Sequence, residues 1–216
     1  MKDGLIFDMD GTLWDSSENV ALSWTEKIRE LGYDLPDITQ KDIMGVMGLT
    51  MDRIADIIFE GKPQKKRMEL LELCCEHENE YLRRNGGTLY PGLEETFTEL
   101  KKKYSLFIVS NCQKGYIEAF LEYYGFGGYF SDIECYGNNL LGKGDNIALV
   151  MRRNALDKAY YVGDIQGDCD SSLEAGAEFI HAAYGFGTIA QKVPELMRFS
   201  DLPEMMLMLD NPRENV

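Results

Sequence analysis

The chain has 216 residues, of which 44% are hydrophobic, and a formal net charge of −15 from 37 acidic against 22 basic side chains. That length suits one moderate domain or a core plus a small insert, burying roughly 70% of the unfolded surface without disulfides or metals as staples. An acidic balance of this size excludes the basic footprint that nucleic acid or anionic lipid requires.

The first element is Leu5-Ile6-Phe7, an apolar run short enough for a buried parallel strand. It ends in Asp8-Met9-Asp10-Gly11-Thr12-Leu13, two carboxylates followed by a glycine that permits a sharp turn. Asp15-Ser16-Ser17-Glu18 then reads as a helix start of capping-box character, with Val20, Trp24, Ile28 and Leu31 at helical spacing and Gly32 as the stop. Thr39-Gln40-Lys41-Asp42 opens a short helix with Ile43 and Met47 inward, and a loop from Gly45 to Thr50 overlaps its end. Ile54, Ile57 and Ile58 define a helix closed by Gly61. A long charged helix runs from about Pro63 to Arg84, its expected inner stripe being Met68, Leu71, Cys75 and Leu82. Residues 16–87 are therefore helical throughout and are expected to form a cap domain, with 1–15 and 88–216 as the core.

The core resumes at Tyr90-Pro91-Gly92 with a helix whose stripe is Leu93, Phe97 and Leu100. Lys101, Lys102 and Lys103 sit where positive charge favours a helix C-terminus. A strand over Ser105 to Val109 ends in Ser110-Asn111, and a helix with Ile117, Phe120, Leu121 and Tyr124 inward follows. Tyr129 to Tyr136 supplies a third strand. Lys143 opens the next helix, with Ile147, Val150 and Met151 inward. The strand Ala159 to Val162 ends in Gly163-Asp164-Ile165-Gln166-Gly167-Asp168, ahead of another helix. Phe179 to Ala183 is a fifth strand, and residues 196–210 read as a final helix. This alternation is that of a doubly wound parallel α/β sheet.

The five cysteines, Cys74, Cys75, Cys112, Cys135 and Cys169, are odd in number and lack zinc-type spacing, so reduced thiols in a cytoplasmic setting are expected. The first residues offer neither a signal peptide nor a membrane span. His77 and His181, the only histidines, read as structural.

The chemistry concentrates at strand ends, where ligands of open α/β sheets bind. Asp8 and Asp10, two apart on an extended chain, share a face and can divide nucleophilic and acid–base work. The Asp8 motif, Ser110-Asn111, Lys143 and the Asp164–Asp168 segment, in this order and spacing, resemble the haloacid dehalogenase (HAD) superfamily, whose members are mostly phosphatases. The helical segment after the first motif is similar to the subgroup with a four-helix cap, and the general pattern is similar to phosphoglycolate phosphatases. The chain departs from the commoner Lys-Pro pattern, having Lys143-Gly144-Asp145.

The resemblance implies a strand order of 5-4-1-2-3, with Asp8 between the Ser110 and Asp164 strands. It also implies metal ligation by Asp8, the Asp10 carbonyl and Asp164, with Asp168 as a further ligand or a supporting acid. Four clustered carboxylates need a cation or raised pKa values, and with only oxygen donors on offer Mg²⁺ is the natural occupant. Asp8 is then expected to attack phosphorus and form an aspartyl-phosphate, with Asp10 as acid and then base. Lys143, the Ser110 hydroxyl and the N–H groups of Met9 and Asn111 would hold the phosphate. The expected substrate is a small phosphate ester, phosphoglycolate-like or a sugar phosphate, and the expected assembly a monomer or weak dimer. A β-phosphoglucomutase-type mutase would need cap cations, and the loop from Gly45 to Thr50 has none; Arg53 is the nearest. A non-catalytic HAD-fold binding protein is the third alternative, against which the intact motifs argue.

Overall fold

A computed structural model describes residues 3–211, so residues 1–2 and 212–216 of the expected core segments lie outside the description. The strands are β1 (Asp3–Phe7), β2 (Trp14–Asp15), β3 (Thr88–Leu89), β4 (Ser105–Ser110), β5 (Phe130–Cys135), β6 (Lys158–Gly163), β7 (Glu178–Ala182) and β8 (Glu195–Leu196). Helices alternate with them. Between β2 and β3 lie α1 (Ser17–Glu30), α2 (Gln40–Met44), α3 (Met51–Ile58) and α4 (Gln64–Asn85). The remainder are α5 (Leu93–Leu100), α6 (Tyr116–Tyr124), α7 (Tyr136–Asn139), α8 (Lys143–Arg153), α9 (Gln166–Glu174) and α10 (Leu202–Asp210).

The main sheet runs β5-β4-β1-β6-β7-β8, with every pairing parallel. The five expected strands stand in the expected order, and β8 adds a sixth at the edge of β7. Pleating sends alternate residues of β1 to opposite faces. Ile6 packs with Phe107, Tyr161, Ile147 and Val150 on the α8–α9 face. Leu5 and Phe7 join Phe97, Phe120 and Leu202 on the other. Phe97 is fully buried and meets Phe7, Phe126, Phe130 and Phe199 with ring centroids 5.1–5.9 Å apart. Phe97→Ala is therefore expected to cost about 3–5 kcal/mol, read as a lowered urea midpoint at unchanged slope.

Several local expectations are corrected. The final helix starts at Leu202 rather than 196, preceded by β8 and a 3₁₀ turn over Phe199–Asp201. Pro203 sets that start, being suited to a helix's first turn. In α4 the buried stripe is Leu70, Leu71, Cys74, Cys75, Glu78, Asn79 and Leu82. Met68 falls on its rim and Ile57 of α3 points outward, both exposed. Thr39 and Asp42 do form the reciprocal cap of α2. The five cysteines are free and buried. No helix among the described residues is long and apolar enough to cross a membrane.

The insert returns to the sheet through a two-stranded antiparallel ladder, Trp14 opposite Leu89 and Asp15 opposite Thr88. Two residues per strand is too short to leave a periodic trace in sequence.

Candidate active site

The central strands deliver their polar ends to one edge because their registers align. Phe7 sits opposite Ile108 of β4 and Val162 of β6, so Asp8, Ser110 and Asp164 all emerge there. Asp8 stays tied to the sheet through its N–H, which donates to the Val162 carbonyl at 2.9 Å. The chain then turns tightly. Leu13 N–H donates to the Met9 carbonyl at 2.8 Å and Gly11 N–H to the Trp14 carbonyl at 2.9 Å. Gly11 has φ +80°, and a Cβ there would lie 2.1 Å from Asp164 Oδ2. Only glycine can occupy that position. Among the described residues, the backbone bonds of the turn use neither the Asp10 carbonyl nor the Met9 N–H.

Lys143, the first residue of α8, is buried, with Nζ 2.9 Å from Asp8 Oδ1 and 2.5 Å from Asp168 Oδ1. Burial opposes its charge, but the two carboxylates outweigh that and hold it well above the usual lysine range. Asp168 Oδ2 accepts from the N–H groups of Asp164 at 3.1 Å and Ile165 at 3.2 Å. It therefore caps α9 and anchors Lys143 at once. Asp164 Oδ2 accepts from Phe186 N–H at 2.7 Å, while its buried Oδ1 has no partner among the described residues. Gly185 allows that approach, since a Cβ there would lie 2.4 Å from the Asp164 Cβ.

Asp10 turns towards the insert. Its Oδ1 accepts from Ser16 Oγ and Tyr116 OH, both at 2.7 Å. Ser16 makes no side-chain cap on α1, contrary to expectation; Asp15 Oδ1 takes the Ser17 N–H at 2.9 Å instead. Ser110 is buried beside this pair. Asn111 reaches across to the insert, its Nδ2 donating to the Gly48 carbonyl at 2.9 Å, and its buried Oδ1 has no partner among the described residues.

Burial pushes Asp8 up to about 7, with Asp168 and Asp10 adding to the rise and Lys143 opposing it. Asp164 rises to about 8 through burial and its neighbours Asp168 and Asp8. Asp10 rises to about 6 by burial, restrained by the Tyr116 and Ser16 hydrogen bonds. Asp8, Asp164 and Asp168 each offer an oxygen within 4.8 Å of the others'. An orphaned buried carboxylate oxygen and an all-oxygen donor set fit a hard divalent cation.

Two cavities meet at Asp10, Met47 and Gly48. One, of about 110 Å³, lies against Asp8, Asp164, Ile165 and Phe186. The other, of about 50 Å³, runs between Ser110, Asn111 and Tyr116 of the core and Trp24, Leu49 and Glu78 of the insert. Arg53 is exposed and lines neither. Sequence reasoning missed Ser16, Tyr116, Glu78 and Phe186. A signal existed only for Glu78, which stands seven residues after Leu71 and four before Leu82, in register with the inner stripe.

The haloacid dehalogenase-like hydrolase family matches residues 5–182, spanning every strand end described above. The chain is 28% identical to a phosphoglycolate phosphatase from Aquifex aeolicus, over 94% of this chain and 95% of that one. It is 26% identical to a phosphoglycolate phosphatase from Vibrio vulnificus, over 84% of each. A haloacid dehalogenase-like family hydrolase from Streptococcus pneumoniae has the same fold, with a TM-score of 0.77 at 22% identity, covering 97% of this chain and 98% of the other. A match of that extent, on a sheet edge carrying all four motifs in order, makes this chain a member of the haloacid dehalogenase-like hydrolases.

Proposed function

We propose that the protein is a Mg²⁺-dependent phosphatase that hydrolyses a small phosphorylated metabolite through an aspartyl-phosphate on Asp8. The observation that carries this reading is the division of environment between the two acids of the turn. Asp8 faces Lys143 and the acidic cluster, whereas Asp10 faces Ser16 and Tyr116. An acid near 6 with hydrogen-bonded support suits proton transfer in both directions near neutral pH. The names borne by the Aquifex and Vibrio relatives point to the same reaction class.

In the first step an Asp8 carboxylate oxygen attacks phosphorus, the ester P–O bond breaks, and Asp10 gives its proton to the departing oxygen. In the second, Asp10 takes a proton from water as that water attacks phosphorus and releases Asp8. Lys143 favours the ionised form of Asp8 against the effect of burial and orients it, and the Ser110 hydroxyl and the N–H groups of Met9 and Asn111 receive phosphoryl oxygens. Asp8, Asp164 and the Asp10 carbonyl would hold Mg²⁺, with Asp168 in support. Bound there, the cation offsets charge between the carboxylates and the phosphoryl group. Residues 16–87 act as a cap over a core of 1–15 and 88–216. A phosphomutase is disfavoured because, among the described residues, no Lys or Arg lines either cavity to hold a second phosphate.

The reading is tested by phosphate release from a panel of small esters. Chelation should stop it, Mg²⁺ should restore it, and Ca²⁺ should inhibit because its looser, larger coordination misplaces the reacting oxygens. Undiminished release in excess chelator would remove the metal from the scheme.

A further inference from the structure

The smaller cavity is where a leaving group would go, since it opens beside Asp10, the residue facing the departing oxygen. Its volume of about 50 Å³ holds about four waters at 10–15 Å³ each, enough for a chain of two or three heavy atoms. Its side-chain chemistry is one-sided. Glu78 of α4 is buried, and its oxygens accept from Trp24 Nε1 and from Gln113 Nε2, the latter at 2.9 Å. Each carboxylate oxygen retains a lone pair. Asn111 Oδ1, another acceptor, is buried with no partner among the described residues, and one of the amide's two N–H bonds is donated to the Gly48 carbonyl. Tyr116 OH is spent between Ser16 and Asp10.

Glu78 and Asn111 both line the space, and no Lys or Arg does so among the described residues. A carboxylate placed there would meet Glu78 with no cation among the described residues to offset it. Burial already pushes Glu78 up to about 7, the mark of a carboxylate lacking a counter-charge.

Building on the phosphatase reading, we propose that Glu78 selects a short phosphate ester whose leaving group ends in a hydrogen-bond donor, an ammonium or a hydroxyl, and that it rejects one ending in a carboxylate. Glu78 is thus a specificity residue for the leaving group.

The experiment compares esters matched in length: O-phosphoethanolamine, 2-hydroxyethyl phosphate, ethyl phosphate and 2-phosphoglycolate, with acetyl phosphate as a check on the Asp8 chemistry. Wild-type kcat/KM should be higher for both donor-ended esters than for ethyl phosphate, and lowest for phosphoglycolate. Charge-assisted hydrogen bonds set the expected spread between ammonium and carboxylate esters at roughly tenfold to hundredfold. The ammonium ester in first place identifies an amino-alcohol phosphate, and the hydroxyl ester a polyol phosphate. In Glu78→Gln the ethanolamine-to-glycolate ratio should fall by a similar factor. Phosphoglycolate hydrolysed as well as the donor-ended esters by the wild type overturns the proposal, whether or not the variant folds. A folded Glu78→Gln protein with an unchanged ratio also overturns it. Acetyl phosphate and all four esters left intact in Mg²⁺ would instead overturn the phosphatase reading, and this inference with it.

Discussion

Asp8→Asn is expected to lower turnover on the order of 10⁴- to 10⁶-fold, the scale on which removing a nucleophile acts in other hydrolases, while leaving the protein folded. The neighbours explain why both outcomes should hold together. Lys143 keeps its contact with Asp168, and the Asp8 N–H remains bonded to the Val162 carbonyl. The substitution also removes a charge that folding disfavours. Burial raises Asp8 in the folded protein from 3.8 to about 7. A carboxyl whose folded value exceeds its unfolded one loses stability as pH climbs from the lower value towards the higher. Asparagine carries no such cost. In metal-free buffer near pH 8 the variant should therefore melt no lower than the wild type. A thermal scan and a phosphate-release assay on one preparation check both halves, and appreciable residual turnover would reject Asp8 as nucleophile.

Asp10→Asn should separate the two steps. The variant keeps the Asp10 carbonyl and loses the proton carrier, a loss typically worth about a hundredfold to ten-thousandfold for an alkoxide leaving group. With acetyl phosphate the first step needs little acid, yet the second still needs its base. The phosphorylated Asp8 should then accumulate and appear by mass spectrometry as one added phosphoryl group. Wild-type turnover of acetyl phosphate with no trapped species would mean that Asp10 is not the base. Ser16→Ala offers a milder version, since it removes one of two hydrogen bonds that hold the Asp10 carboxyl in place.

What could be read from sequence and what could not divides along physical lines. Buried parallel strands announce themselves as unbroken apolar runs, so β1, β4, β6 and β7, with the acids that end β1 and β6 and the Ser110-Asn111 pair that ends β4, are legible in the sequence. Their order came from family resemblance, and the registers of Phe7 with Ile108 and Val162 agree with it. Long-range polar contacts leave no such trace. Ser16 carries a helix-cap signature, and nothing in its neighbourhood reveals that Tyr116, a hundred residues on, would share Asp10 with it. Glu78 sits among many charged residues of α4, where a carboxylate is by default taken for the wet face. Its spacing from Leu71 and Leu82 was the contrary signal. β8 and the β2–β3 ladder, two residues per strand, fall below the length at which alternation can be seen.

The β2–β3 ladder is one of two ties between the insert and the sheet. Both chain crossings run side by side through it, and α4 is fastened along α6 as well. There Asn79 Nδ2 donates to the Lys114 carbonyl at 2.8 Å, Arg83 pairs with Glu122 at 2.7 Å, and Gln113 Nε2 donates to Glu78 at 2.9 Å. Ser16 directly follows β2 and so lies beside Asp10 at the first tie. Glu78 lies seven residues back from the end of α4, roughly 10 Å along the helix at 1.5 Å per residue, and belongs to the second. The insert thus reaches the core through two separate anchorages, and a substitution at one leaves the bonds of the other in place.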